Sequence, residues 1–170
     1  DNTDANGMLN SNLGQFDNLN GATINIGLTG GVQNIGSSGI INNDATLNND
    51  NSTIKIDNVT VDGLVNTYTL AEFTNKNGGQ IEIGLEDGNI SRIGLFIHQS
   101  ATFSNNQISS IKIDGTGVGD PTSAGIWSQD FSTFYNEGEI IIGANGISSI
   151  IGVQNLNSTM VNFATITTYY

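Results

Sequence analysis

The feature that most constrains the fold of this chain is a repeat of 26 to 30 residues that runs through almost all of its 170 residues. Each copy contains an Ile-x-Ile pair, which in the five clear copies is followed by Gly or Asp. Those copies begin at Ile24, Ile54, Ile81, Ile111 and Ile140, and a degenerate sixth copy begins at Ile166. Self-similarity at a nearly fixed spacing is typical of repeat architectures, in which each unit packs mainly against its neighbours.

A second mark lies upstream of every Ile pair, where a large apolar residue is followed two positions later by Asn. The apolar residues are Phe16, Leu47, Phe73, Phe103, Phe134 and Met160. The asparagines are Asn18, Asn49, Asn75, Asn105, Asn136 and Asn162. Alternate units also differ: Ile-Lys-Ile-Asp recurs at Ile54 and Ile111, 57 residues apart, whereas Gly27, Gly84 and Gly143 end the other units.

Within each unit apolar residues alternate with polar ones, the period of a half-buried strand, and no helical period is present. Gly, Asn, Asp and Ser punctuate the intervals as turn residues. The sequence therefore predicts an all-β fold, a right-handed parallel β-helix or β-solenoid, of about six coils of 26 to 30 residues paired into units of about 57. Residues 1–170 form one domain in this prediction, with residues 1–6 as a linker or a preceding coil. An antiparallel β-sandwich is the alternative, but it does not explain six copies at one register.

In such a stack, equivalent residues lie above one another at about 4.8 Å. The large apolar residues then form a continuous buried spine, and the asparagines form a ladder whose amides donate and accept along the stack or fix a turn. Outward, Lys55, Glu82 and Lys112 alternate in sign on adjacent strands, an order that cross-strand pairing favours.

Composition excludes several classes of protein. The chain has no Cys, so a disulfide scaffold, a Cys-based zinc site and a thiol enzyme are ruled out. Four Lys plus Arg stand against 16 Asp plus Glu, for a net charge of -12, which disfavours binding to nucleic acid and to anionic membranes. No apolar run is long enough to insert into a membrane as a helix. The sequence begins Asp1-Asn2-Thr3-Asp4, without an initiator Met or a basic-then-apolar segment, so we expect it to be a mature product or an excised piece.

Candidate sites for chemistry are few. Asp114 and Asp120 flank a Gly-rich turn and could contribute to a Ca²⁺ site, although solvated acidic turns are the ordinary interpretation and no other cofactor is expected. The intervening Gly-x-Gly-x-Gly segment, residues 115–119, is followed by no helix, so it predicts a turn and not a phosphate site. His98 is the single possible base of a triad, in a strand-like segment.

Three functional alternatives stay open at this point. Polysaccharide-degrading enzymes use β-helices, but the regular units leave no insertion for a cleft, so we expect no enzyme and no catalytic residue. Sugar binding through Trp127 is a second alternative. Ice binding is a third, on a row that reads Gln15, Thr46, Glu72, Thr102, Thr133, Thr159, although Glu72 interrupts it.

Asn-rich units such as Phe73 to Ile83 and Phe134 to Ile142 resemble the parallel β-helix repeats of large bacterial cell-surface adhesins. The filamentous-haemagglutinin type and the giant repeat proteins of gliding and predatory bacteria are the nearest comparisons. The resemblance covers the chain from Gly7 onward. It implies secretion to the cell surface, a much longer parent chain and a structural or adhesive role, with no shared catalytic motif.

On this basis we expect a rigid extracellular rod whose polar faces attach to cells or surfaces, with a cell-surface or glycan ligand as its partner. Strand edges at solenoid ends need covering. Neither end of the chain carries a convincing cap, so we also expect the parent chain or an identical subunit to abut each end.

Overall fold

Three parallel sheets of six strands each make up the computed structural model, which describes residues 6–27, 35–85, 90, 92–114, 123–143 and 151–169. The first sheet contains β1 (Met8–Ser11), β4 (Ile40–Asn43), β7 (Asp62–Thr67), β10 (Ile93–His98), β13 (Ala124–Gln129) and β16 (Ile151–Leu156). The second contains β2 (Gln15–Leu19), β5 (Thr46–Asp50), β8 (Glu72–Lys76), β11 (Thr102–Asn105), β14 (Thr133–Asn136) and β17 (Thr159–Asn162). The third contains β3 (Thr23–Ile26), β6 (Thr53–Ile56), β9 (Gln80–Ile83), β12 (Ser110–Ile113), β15 (Glu139–Ile142) and β18 (Ile166–Thr168).

Every strand pairs with the strand three places along the chain, so three consecutive strands form one coil that lies on the next. The predicted fold class is confirmed as an all-β parallel β-solenoid, and no described residue is helical. The pairing also follows the sequence repeat residue by residue. Phe73 pairs with Leu47 on one side and Phe103 on the other, and Ile81 pairs with Ile54 and Ile111.

The core is one apolar column enclosed by the three sheets. Leu47, Phe73, Phe103 and Phe134 are fully buried, while Phe16 and Met160 on the outermost strands of the second sheet are partly buried. The rings of Phe73 and Phe103 stack with centroids 4.6 Å apart. Burying one such side chain contributes about 1.5–3 kcal/mol. The residues of the predicted spine therefore line the interior and pack along the stack.

The six repeated asparagines are joined by side-chain hydrogen bonds. The Nδ2 group of each donates to the Oδ1 atom of the next along the stack, over 2.9, 2.8, 2.9, 2.8 and 2.7 Å from Asn18 to Asn162. Within its own coil, Asn75 also donates to the backbone carbonyl of Gly79 at 3.0 Å. Each amide thus ties neighbouring coils together, and Asn75 also closes the corner between the second and third sheets.

A second, shorter ladder lies at the corner between the first and second sheets. Asn10 donates to Asn42 at 2.9 Å, and Asn42 donates to Asn66 at 2.8 Å. The row ends there because the next residue in register is Ile97, which has no polar side chain. This ladder is not among the predicted rows, although each of its asparagines follows a Gly by three positions.

Those glycines form a row of their own within one residue of the start of the strands of the first sheet. A Cβ atom on Gly63 would lie 2.6 Å from the backbone oxygen of Gly94 and 2.6 Å from Cγ2 of Ile83. Only Gly lets the backbone approach the buried Ile row this closely. The glycine row therefore sets how tightly the first and third sheets meet.

One corner carries a residue whose side chain does not suit its backbone conformation. The turn Asn106–Ser109 is closed by a hydrogen bond from Ser109 N–H to the Asn106 carbonyl at 3.2 Å, as the turn Lys76–Gly79 is one coil earlier. Gly78 has a φ of 83° there, and the equivalent residue, Ile108, has a φ of 59° with 83% of its surface exposed. A β-branched residue is strained in this left-handed region.

We expect Asn75→Ala to lower the free energy of unfolding by about 3 kcal/mol, because it leaves buried partners on both neighbouring coils unsatisfied. Asn162→Ala is the matched control, since Asn162 is the last member of the same ladder and is exposed. It should cost less than about 1 kcal/mol. Urea unfolding followed by circular dichroism measures both. Equal losses for the two variants would contradict a stabilising role of the buried amides.

Ile108→Gly should raise the free energy of unfolding by about 1 kcal/mol, because it removes left-handed strain from an exposed side chain. The reverse substitution at the equivalent position, Gly78→Ile, should lower it by a similar amount. Thermal melting of the two variants beside the parent chain is the measurement. A loss of stability in Ile108→Gly would show that the exposed isoleucine makes a stabilising contact.

Candidate functional site

The outer face of the first sheet differs from the other outer faces because its central row is apolar. Successive partners in this row are Leu9, Ile41, Val65, Phe96 and Trp127, followed by Gln154. Their neighbours along the strands, such as Leu64 and Leu95, point into the core, so the row itself faces outward. The comparable row of the second sheet begins Asp17, Asn48, Thr74 and Ser104.

This apolar row forms the floor of a groove, open to solvent, of about 400 Å³ that crosses β4, β7 and β10. Ile41 and Val65 line it from β4 and β7, and the larger Phe96 lines it from β10. Two sets of polar side chains flank the apolar row. One set lies where the strands begin and the other where they end.

Arg92 and Asp62 form the polar group where the strands begin. Arg92 Nε donates to Asp62 Oδ1 at 2.9 Å and Nη2 donates to Oδ2 at 2.5 Å. Asp62 is the first residue of β7 and pairs with Ile93, so the register brings Arg92 beside it. The Asp62 side chain is 3% exposed and that of Arg92 40%. A bidentate pair fixes the guanidinium plane, which lies 5.7 Å from the Phe96 ring centroid.

Aromatic rings continue the site along and across the strands. Phe96 and His98 lie two positions apart on β10, hence on one face, and their rings stack with centroids 4.2 Å apart and an interplanar angle of 9°. Trp127 lies beside Phe96 on the next strand, at a centroid distance of 5.9 Å. Arg92, Phe96 and His98 thus make a wall that is taller than the side chains of β4 and β7.

The second polar group lies where the strands end. It contains Asn43, Thr67, His98 and, at the corner, Tyr68 and Gln99. Thr67 donates its hydroxyl hydrogen to the Gln99 amide oxygen at 2.9 Å.

Burial lowers the pKa of His98 below its ordinary value of 6.5, because the imidazolium loses hydration in the groove wall. The carboxylates of Asp130 and Asp62 favour the charged ring, and the Arg92 guanidinium disfavours it, but desolvation is the largest cause. His98 is therefore neutral at pH 7 and offers one hydrogen-bond donor and one acceptor.

The predicted calcium residues give no site that can be tested. Asp114 follows β12 and is buried, whereas Asp120 and residues 115–119 lie outside the described residues. In the part of the chain that the structure describes, no three His, Cys, Asp or Glu side chains are grouped so as to hold a metal ion. The calcium site stays a prediction.

The other sequence candidates lie on two different faces. Trp127 is on the outer face of the first sheet, beside the groove. The row proposed for ice binding lies in register along the outer face of the second sheet, with Glu72 between Thr46 and Thr102. On the third sheet, Lys55 Nζ and Glu82 Oε2 are 3.1 Å apart, as the alternating charges predicted.

Sequence reasoning missed the groove. Asp62 and Arg92 carry no signal in the repeat, and His98 stands out in the sequence only as the single possible base of a triad. For the apolar row, Phe96 included, a signal was available, since the second residue after each repeated Gly is apolar in five units, where strand alternation leads one to expect a polar residue.

Comparisons with known proteins add no identity. No protein-family model, no curated protein and no solved structure matches the chain. Among the described residues, no helix is long and apolar enough to cross a membrane. The coarse part of the predicted resemblance, a repeat β-solenoid, is confirmed, and the adhesin relationship stays a prediction.

The pKa of His98 should be below 6.5 when followed by NMR, where the single His of the chain gives one unambiguous set of imidazole signals. Because the unfolded state then binds the proton first, stability should fall as the pH drops from about 6.5 to the folded pKa. Asp130→Asn should lower the pKa further, since Asp130 favours the charged ring. A pKa at or above 6.5 would mean that the carboxylates outweigh desolvation.

Proposed function

We propose that this chain is a structural and adhesive segment of an extracellular bacterial surface protein, a rigid rod that presents its outer faces for attachment to cells or surfaces. The observation that carries the proposal is the uninterrupted asparagine ladder from Asn18 to Asn162. The resemblance of the repeat to adhesin β-helices supports the surface location and a longer parent chain.

Rigidity follows from how many interactions join two coils. Along the stack, backbone pairing on three sheets, a side-chain amide hydrogen bond and the apolar spine act together. Bending between two coils would weaken all three at once, and each coil repeats the arrangement of its neighbours. A load applied along the rod is therefore shared by many parallel contacts.

The outer surface suits a rod that stays in solution while it presents contacts. The outward rows of its second sheet are rich in Thr, Asn and Ser. Ion pairs such as Lys76 with Asp50, 3.6 Å apart, link neighbouring strands. The net charge of -12 keeps separate copies apart. Such a rod needs no catalytic residue and no cofactor, and its partner is a cell-surface or glycan ligand.

Display of the chain on the surface of a non-adherent bacterium tests the proposal. Cells that carry it on an outer-membrane anchor should be retained under flow, on bacterial or animal cell layers, better than cells that carry the anchor alone. Phe103→Asp is the matched control, because a carboxylate in the buried spine should unfold the rod. The two kinds of cell are compared at equal surface expression. Added protease should leave the displayed parent chain intact and should cleave the Phe103→Asp chain, which checks that the first is folded and the second is not.

Equal retention of cells bearing the parent chain, Phe103→Asp and the anchor alone would overturn the adhesive role. Rapid proteolysis of the displayed parent chain would overturn the rigid rod.

A further inference from the structure

We infer that the groove on the outer face of the first sheet binds a neutral oligosaccharide built of hexose units. The inference goes beyond the proposed rod, since it names a site and a ligand class, and it does not require the rod to be a surface protein. It depends on the shape of the groove, on its three rows of side chains and on its charge balance.

The shape of the groove comes from a change of side-chain size within one register row. Ile41 and Val65 make a low apolar floor on β4 and β7, and Phe96 is the first large residue of that row. The result is a step, with a floor on two strands and a wall on β10, in an open groove of about 400 Å³. A flat ring of pyranose size can lie on the floor with one edge against Phe96.

The three rows match the surface of a hexopyranose. Its ring faces present C–H groups, which pack on apolar and aromatic side chains, and its rim carries hydroxyl groups, which need hydrogen-bond partners. The groove has the same order across its width, with an apolar centre and a polar row on each side. A guanidinium and a carboxylate lie on one side, at Arg92 and Asp62, and amides and hydroxyls lie on the other, at Asn43, Thr67 and Gln99.

Preorganisation favours binding at this site. Asp62 fixes the Arg92 guanidinium through two hydrogen bonds, and Thr67 holds the Gln99 amide through a third. The Phe96 ring is stacked on His98. Little side-chain entropy then remains to be lost when a ligand binds, which is the main cost of ordering a flexible site.

Charge favours a neutral ligand over an anionic one. The Arg92 charge is neutralised by Asp62, and Asp130 adds a negative charge close enough to act on His98. The chain as a whole carries -12. A uronate or sulfate would meet no uncompensated cation in the described groove and would be repelled by the surrounding field.

Trp127 supplies a direct readout, because it is the single Trp of the chain and lies 5.9 Å from Phe96. Neutral glucose and mannose hexasaccharides should change its fluorescence in a saturable way. For each sugar, calorimetry should give the same dissociation constant as the fluorescence titration. A hexauronate and an apolar peptide of similar length are the comparison ligands. Both should bind at least about tenfold more weakly than the better neutral sugar.

Variants place the binding in the groove. Phe96→Ala should weaken the sugar by about tenfold, the scale of one aromatic contact. Phe96→Leu keeps an apolar side chain but removes the ring, so it serves if the alanine variant is unstable. Tyr135→Ala, an exposed aromatic on the outer face of the second sheet, is the matched control and should leave the affinity unchanged. Asp62→Asn should also weaken binding, because it releases the guanidinium.

Absence of saturable binding by either neutral hexasaccharide would overturn the inference. So would unchanged affinity in folded Phe96→Leu, or tighter binding of the uronate or the peptide. The two proposals fail separately. If displayed Phe96→Leu cells are retained as well as parental cells, the rod is adhesive but does not use this groove. If the chain binds sugar but the displayed cells are not retained, the groove binds sugar but the rod is not adhesive.

Discussion

The structure depends on one constraint, that the strands pair in parallel with partners one coil away while the chain turns three corners per coil. Turning a corner leaves backbone carbonyls inside, where they need donors. Asn meets this need because its amide has both a donor group and an acceptor on a short side chain. Asn49 donates to the Ser52 carbonyl in its own coil and to Asn75 in the next, so one residue satisfies the corner and joins the coils.

The first sheet shows what happens where the amide is lost. Where Ile97 replaces Asn, the ladder of Asn10, Asn42 and Asn66 stops. Ser132 Oγ donates to the Ile97 carbonyl at 3.1 Å from the neighbouring coil. This is a different carbonyl from that of Ala45, to which Asn42 donates in its own coil. A hydroxyl therefore joins the two coils at this corner, while the side-chain ladder does not continue.

The fold could be predicted from sequence where a residue type recurs at one register without exception. Phe or another large apolar residue, Asn and Ile do so, and the strands pair at those positions. The glycine row was missed because its cause is the backbone of the next coil, as Gly63 meets Gly94, and this proximity is not visible in one repeat. The strain at Ile108 was missed because a single coil places Ile at the left-handed turn position that Gly78 occupies in the preceding coil.

The apolar floor of the groove follows the repeat and could be found from it, but the residues that distinguish the site could not, because they are departures from the repeat. Arg92, His98 and Trp127 are each the single residue of their type in the chain. All three lie in or beside the outward, mostly apolar row of the first sheet, which is outside the core. Substitutions there leave the ladder and the spine in place, because the outer row contacts neither the buried amides nor the stacked rings. A solenoid can therefore acquire a local site by changing a few outward side chains on one strand, at little cost to the interactions that hold the coils together.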